Sequence, residues 1–370
     1  MSYQNKRFIF DIADARDGEK IAEILESNPF EGRISLLYTR RPDAYESFLK
    51  ESKESEVLIC RDKNEGGVVG FGAYNVRELY VNGIPQRVGY IFGLRGYGQY
   101  LKSYPLLHKA FDYLYQRCQD RQISFYITTI LNYNLYSRRL LEKRRKFMPS
   151  YEFYGDYEIF ALKTFLRKKK YSGLTFRKAT LDDVTAIVKF LNQEGRQYQF
   201  FPLVKEEDLL EERLPNLSIN HFYLVVDNNN EILTAGAAWD QKRYKQYIVQ
   251  GYGLSIKFIN TIGIWFPLLN WPLLPPKGQM LNFFTLSFWA VKGNEETVFD
   301  CFLEGLSHVS KEYSFFLVGV YETHPLRAHL KHRRCVTYKS KAYLVDWEKE
   351  INPLTKLNND FIPYLECGLL

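Results

Sequence analysis

Residues 86–111 change from one hydrophobic period to another. Val88, Tyr90 and Phe92 alternate along the first part, and this two-residue period is typical of a β-strand. From residue 103 onward the apolar residues recur three and four positions apart, as on one face of a helix. This stripe consists of Leu106, Leu107, Ala110, Phe111 and Leu114. The pattern therefore predicts a strand, a turn and an amphipathic helix, in that order.

The turn between this strand and this helix is a candidate anion site. Gly93, Gly96 and Gly98 interrupt the strand pattern, and Ser103 and Pro105 suit the first positions of a helix. The free N–H groups of a helix's first turn attract anions. Plain scaffolding is the alternative interpretation, because strand–turn–helix units are common in proteins without such a site.

The remaining patterns predict one order of elements, β-α-α-β-β-β-α-β-α-β-β, in the first half of the chain. The predicted strands lie at residues 7–13, 57–61, 68–78, around 88, 123–130, 151–155 and 157–165, and the predicted helices around 14–25, 42–53, 103–114 and 132–146. The second half repeats several of these landmarks in the same order, which indicates a duplicated domain. We expect a first domain at residues 1–166, a linker at 167–173, and a second domain at 174–370 with an aromatic and Pro-rich insert near 240–280.

Composition limits the class of protein. The chain has 370 residues, of which 46% are hydrophobic and 25% are charged, as in an ordinary soluble globular protein. Its net charge of +7 comes from an excess of basic residues within residues 1–170. This excess suits an anionic small molecule or a nucleic acid as partner, and a solvated basic face is the alternative.

Cysteine usage and hydropathy exclude several other classes. The five cysteines are scattered and form no CxxC or Cys/His cluster, so we expect reduced thiols, no metal site and a cytoplasmic location. The apolar stretch at residues 261–276 contains four prolines, so we expect no transmembrane segment.

The predicted order of elements, with xFxxAxxxD at the first strand–helix junction, resembles the GNAT superfamily of acyl-CoA N-acyltransferases. The resemblance implies an α+β fold of two tandem GNAT-like domains, each with a mixed, mostly antiparallel sheet flanked by helices. It also implies acetyl-CoA or coenzyme A as the cofactor, held where the fourth strand parts from the fifth.

The resemblance places this cofactor in the first domain. Residues 90–95 match the family's fourth strand, and residues 134–137 match its N-x-x-A helix start, with serine for alanine. Backbone N–H donors for the thioester carbonyl are expected around residues 92–94. The cofactor-binding residues that the resemblance implies are Phe92, Gly93, Leu94, Arg95, Gly96, Gly98, Gln99, Asn134 and Ser137.

The chain departs from the family at the pyrophosphate loop. Gln99 suits the start of the glycine signature, but Lys102 and Tyr104 occupy its glycine positions. Gly96 and Gly98 lie slightly early, so the loop, if it exists, is shifted.

The expected catalytic groups also depart from the family pattern. Leu141 stands where the family has the tyrosine that protonates the leaving thiolate, and Tyr136 is the nearby candidate for this acid. Glu78 and Glu158 remain open as alternatives for the base.

We therefore expect an N-acyltransferase, with acetyl transfer to an amine of a small molecule or peptide, and a second domain without catalysis. Two alternatives remain open. One is a non-catalytic module that binds an acyl-CoA or metabolite, which the missing glycines and tyrosine favour. The other is a ligase of the same fold that uses aminoacyl-tRNA, which the basic first half favours.

Overall fold

The computed structural model describes residues 7–30, 32, 34–146, 148–164, 170–253, 274–333 and 335–370. Part of the predicted linker and much of the predicted insert lie outside these ranges. The described strands are β1 Phe8–Ile12, β2 Ile34–Thr39, β3 Glu54–Asp62, β4 Gly67–Val81, β5 Ile84–Gly96, β6 Phe125–Leu131, β7 Ser150–Lys163, β8 Thr175–Lys178, β9 Tyr198–Gln199, β10 Phe222–Val226, β11 Ile232–Trp239, β12 Gln246–Tyr252, β13 Phe283–Val291, β14 Phe315–Tyr321, β15 Cys335–Asp346 and β16 Ile362–Pro363. The described helices are α1 Gly18–Glu26, α2 Ala44–Leu49, α3 Gly98–Leu101, α4 Tyr104–Cys118, α5 Leu135–Leu141, α6 Val184–Gly195, α7 Glu206–Leu210, α8 Glu296–Val309 and α9 Arg327–Lys331.

One mixed sheet of 12 strands runs through both halves of the chain, in the order β1-β3-β4-β5-β6-β15-β7-β14-β13-β11-β10-β8. Its neighbours pair antiparallel except β5 with β6 and β13 with β14, which pair parallel. The order is nearly symmetric about its centre, because each half of the chain contributes six strands and each half contains one parallel pair. Duplication of the domain remains a prediction that this symmetry favours.

The centre of the sheet is made by an exchange of strands between the halves. β15, from the second half, pairs with β6 of the first half, and β7, from the first half, pairs with β14 of the second. β7 and β15 also pair with each other along their full length. The sheet is therefore continuous between the two halves of the chain, and the domain boundary at 167–173 remains a prediction.

The prediction of two closing strands at 151–155 and 157–165 was wrong. They form the single strand β7, and Gly155 makes no turn there. A Cβ atom at Gly155 would lie 3.1 Å from the ring of Tyr321, so the glycine permits a close packing contact.

Helices cover both faces of the first half of the sheet. α4 packs its apolar stripe against Tyr74 and Ile91 on one face, as the spacing of that stripe predicts. α1 and α2 pack on the opposite face, against Phe71 and Phe92. β4 and β5 thus lie between a space on the α4 side and a space on the α1/α2 side. The candidate site lies beside these two strands.

A small second sheet closes the space on the α2 side. β2 pairs antiparallel with β12, whose residues lie about two hundred positions later in the chain. The sequence analysis predicted neither β2 nor β12. β12 lies in the described part of the predicted insert. Within the described ranges, no helix is long and apolar enough to cross a membrane.

Candidate functional site

A cleft opens where β5 and β6 diverge. The two strands pair only at Val88–Tyr90 with Phe125–Ile127, and beyond these residues their ladder ends. The resulting cavity has a volume of about 920 Å³, which lies at the upper end of the roughly 300–1,000 Å³ found for small-molecule pockets. Most of its lining is apolar, and it includes Leu106, Ala110, Phe111 and Leu140 from the α4–α5 side.

A β-bulge in β5 faces this cavity. Phe92 pairs with Ala73 and Arg95 pairs with Phe71, so two residues, Gly93 and Leu94, stand opposite the single residue between those partners. Gly93 has φ of +68°, a conformation that costs a residue with a Cβ atom about 1–2 kcal/mol. A bulge of this kind turns backbone groups out of the ladder and re-aims them.

The structure brings most of the sequence-predicted residues to the cavity wall. The predicted residues that line it are Phe92, Gly93, Leu94, Arg95, Gly96, Asn134, Tyr136 and Ser137. Gly98 and Gln99, at the start of the short helix α3, do not line it, whereas Tyr100 and Leu101 of the same helix do.

The glycines around α3 form no open loop. Gly96 is the last residue of β5, and a Cβ atom there would lie 3.1 Å from the carbonyl oxygen of Val69, so Gly96 serves the close approach of β4 and β5. Gly98 begins α3 and has no heavy atom within 4 Å of its Cβ position. This geometry differs from the shifted glycine loop that the sequence suggested.

Asn134 and Tyr136 hold the start of α5 in place. The Asn134 side chain accepts a hydrogen bond of 3.0 Å from the backbone N–H of Ser137, which makes it the N-cap. The Tyr136 hydroxyl donates to the carbonyl oxygen of Leu101 at 3.2 Å and is 49% exposed. Its phenol is thus accessible at the rim of the cavity.

A buried charge cluster contributes to the wall of the cavity, and sequence reasoning missed it. The guanidinium of Arg40 contacts Glu51 at 2.5 Å, and the ammonium of Lys245 lies 3.6 Å from the same carboxylate. Lys245 also donates to the carbonyl oxygen of Leu370 at 2.5 Å. Desolvation by burial lowers the pKa of Lys245 to about 8. Arg40 and Lys245 line the cavity, whereas the carboxylate between them is buried.

Arg95 is different, because its charge has no carboxylate partner among the residues that the structure describes. Its guanidinium lies over the ring of Phe30, 4.6 Å from the centroid. Desolvation lowers its pKa, and the ionisable groups that oppose this shift are the hydroxyls of Tyr38, Tyr133 and Tyr247. A cation in partly apolar surroundings is thus left facing the cavity.

The alternative bases and His324 lie elsewhere. Glu78 forms an exposed ion pair with Lys205, and Glu158 is buried against Arg327 and Lys339. Neither glutamate lines the cavity. His324 packs between Tyr198 and Trp289, and desolvation lowers its pKa to about 4.

The chain is similar to known proteins in its fold. No protein-family model matches the chain, and no curated protein matches its sequence. Two structures of Saccharomyces cerevisiae N-myristoyltransferase with bound myristoyl-CoA align with it at a TM-score of 0.58 and 13% identity. The first alignment covers 92% of this chain and 79% of that chain, and the second covers 92% and 83%. The chain has a GNAT-like fold. Identity this low shows the fold alone.

The second half of this GNAT-like fold has a matching cleft that the chain itself fills. β13 and β14 pair parallel only at Phe283–Thr285 with Phe315–Leu317 and then diverge. A bulge at Phe288, with φ of +48°, occupies the place that Gly93 has in the first cleft. The Phe288 N–H donates to the buried carboxylate of Glu366 at 2.7 Å.

Residues of the chain itself pack closely around this carboxylate in the second cleft. A Cβ atom at Gly368 would lie 2.5 Å from both Ser287 Oγ and the ring of Trp239. The Tyr364 hydroxyl also donates to Glu366, at 2.8 Å. The open cleft is therefore the one in the first half.

Proposed function

We propose that this protein is an acyl-CoA-dependent N-acyltransferase whose donor site is the cleft between β5 and β6. The bulge at Gly93, which opens onto the cavity at the point where these strands part, is the observation that carries the proposal. Re-aimed backbone N–H groups beside a cavity are suited to stabilise the oxyanion formed on a thioester carbonyl. The fold similarity to N-myristoyltransferase supports the same reaction class.

The acyl group that we propose is longer than acetyl. The resemblance to the superfamily implied acetyl-CoA, but the volume of about 920 Å³ and the apolar lining suit a larger group. The two structures of the yeast enzyme hold myristoyl-CoA. Each buried methylene group contributes about 0.8 kcal/mol, so a long chain would gain most of its affinity from this cavity.

In the proposed reaction the neutral amine of the acceptor attacks the thioester carbonyl. The C–N bond forms, the negative charge on oxygen is held by the N–H groups at the bulge, and the C–S bond breaks. Lys245 in its neutral form, which its lowered pKa makes accessible near pH 8, accepts the proton of the amine, and Tyr136 gives a proton to the thiolate. Both roles are proposals that rest on position at the cavity wall.

The release of free coenzyme A thiol from myristoyl-CoA, with and without a mixture of primary amines, tests this proposal. We expect amine-dependent release, and a fall in kcat of at least about 100-fold in Tyr136→Phe with an unchanged KM for the thioester. Tyr115→Phe, a tyrosine that stacks on Trp347 away from the cavity, is the control and should keep full activity. Thioester binding without release in any amine would contradict the proposal.

Thioester binding without release of coenzyme A is the result that a non-catalytic acyl-CoA-binding module would give. Two observations favour this second candidate. Leu141 replaces the family's tyrosine, and α3 stands where a glycine loop would hold the pyrophosphate.

A further inference from the structure

Arg95 carries a charge that the described part of the protein does not balance. A guanidinium has five N–H donors, and none of those of Arg95 forms a hydrogen bond to a described residue, although it lines a cavity with aromatic walls. The two other cations described above at this cavity, Arg40 and Lys245, share Glu51. Charges in desolvated surroundings are normally paired, so a guanidinium without a partner in a ligand cavity points to an anionic group on the ligand.

The face of the sheet on which Arg95 lies indicates which ligand this is. Arg95 stands opposite Phe71 in the β4–β5 ladder, and directly opposed residues project to the same face. Phe71 packs against Phe48 of α2, with ring centroids 5.6 Å apart. The helix α4, whose first turn would receive the phosphates of coenzyme A, packs on the opposite face. Arg95 therefore lies on the face of the sheet opposite to α4.

The aromatic residues around Arg95 suit a ligand with a flat or apolar group that ends in an anion. Phe30 lies beneath the guanidinium, and Tyr38 packs between Phe30 and Tyr247, with centroids 5.9 Å and 5.1 Å away. The planar fork of a guanidinium matches a carboxylate with two parallel hydrogen bonds. One carboxylate balances this single charge.

We propose that the acceptor amine carries a carboxylate, and that Arg95 binds it on the α2 side of the bulge at Gly93. This inference rests on the proposed N-acyl transfer, which it extends to the acceptor. Arg95 is thus a specificity-determining residue. It selects acceptors by their charge, and the carbonyl chemistry occurs two residues earlier on the same strand.

Binding of a matched pair of probes, phenylacetate and phenylacetamide, tests this inference by calorimetry on the full chain. We expect phenylacetate to bind the wild-type protein about 10- to 100-fold more tightly than phenylacetamide, as a charge-assisted hydrogen bond of about 1.5–3 kcal/mol would give. Arg95→Gln should abolish this preference, and Arg95→Lys should retain part of it. Arg139→Gln removes a positive charge from the exposed side of α5 and should leave the preference intact.

Three results would overturn the inference. They are an equal affinity of the wild-type protein for both probes, an unchanged preference in Arg95→Gln, and tighter binding of inorganic phosphate than of phenylacetate. A parallel titration with myristoyl-CoA separates this inference from the proposed function. If Arg95→Gln weakens thioester binding and leaves phenylacetate binding unchanged, the guanidinium belongs to the donor site. If myristoyl-CoA fails to bind while the carboxylate preference remains, the proposed function fails and Arg95 still forms a carboxylate site.

Discussion

At the scale of single residues, the site depends on backbone geometry more than on side-chain chemistry. The resemblance named Phe92, Gly93 and Leu94, and the structure places all three at the cavity wall, where Gly93 has the positive φ that glycine adopts readily. Sequence reasoning could not find the contact of Glu51 with Lys245, since almost two hundred residues separate them. Only the pairing of β2 with β12 brings them together.

Substitution of Gly93 by alanine tests the importance of this backbone geometry. We expect Gly93→Ala to lose about 1–2 kcal/mol in the free energy of unfolding, because φ of +68° disfavours a Cβ atom, and to lose affinity for myristoyl-CoA. Gly98→Ala is the matched control and should change stability by no more than about 0.5 kcal/mol, since its Cβ position is open. Urea denaturation measures both, and equal stability of the two variants would contradict a strained bulge.

At the scale of elements, local patterns predicted the first half well except where a strand depends on distant partners. The strands around residues 57–61 and 68–78 correspond to β3 and β4, and the helix predicted from residue 103 corresponds to α4. The predicted helix at 132–146 is shorter in the structure, where α5 is Leu135–Leu141. The prediction divided β7 into two strands because glycine is typical of turns. The packing of Gly155 against Tyr321 cannot be seen in the sequence.

One element-scale contact gives a prediction about pH. Glu158 on β7 accepts hydrogen bonds of 2.7 and 3.0 Å from Arg327 of α9, and Lys339 of β15 lies 2.8 Å away. The hydrogen bonds from Arg327 lower the pKa of Glu158 from 4.5 to about 2. Because the folded-state pKa is lowered, the stabilisation is complete above pH 4.5 and is lost as the pH falls through about 2.

We expect Glu158→Gln to reduce the free energy of unfolding by about 3 kcal/mol at pH 7, and by roughly half of that at pH 3. Denaturant titrations at the two pH values measure this difference. Glu78→Gln, which breaks the exposed pair with Lys205, should cost no more than about 1 kcal/mol at pH 7. A loss in Glu158→Gln that is the same at both pH values would show that packing, and not charge, is responsible.

At the scale of the whole molecule, two similar clefts have different contents. The first is open onto the cavity, and the second holds the chain's own residues around Glu366. The sequence predicted a second domain without catalysis. It could not show that residues 364–369 fill this cleft, since nothing local in that segment indicates its docking site. This asymmetry predicts one acyl-CoA site per chain.

Calorimetric titration of myristoyl-CoA into the wild-type protein, Ala110→Trp and Gln116→Trp tests the central claim most directly. Ala110 lines the cavity on α4, so a tryptophan there should displace part of the acyl chain. Loss of about two buried methylene contacts, at about 0.8 kcal/mol each, should weaken binding at least tenfold. Gln116, exposed on the same helix, provides the control. The account predicts one binding site per chain, with an affinity that is weakened only in Ala110→Trp. Two sites per chain, no binding, or equal affinity in all three proteins would contradict it.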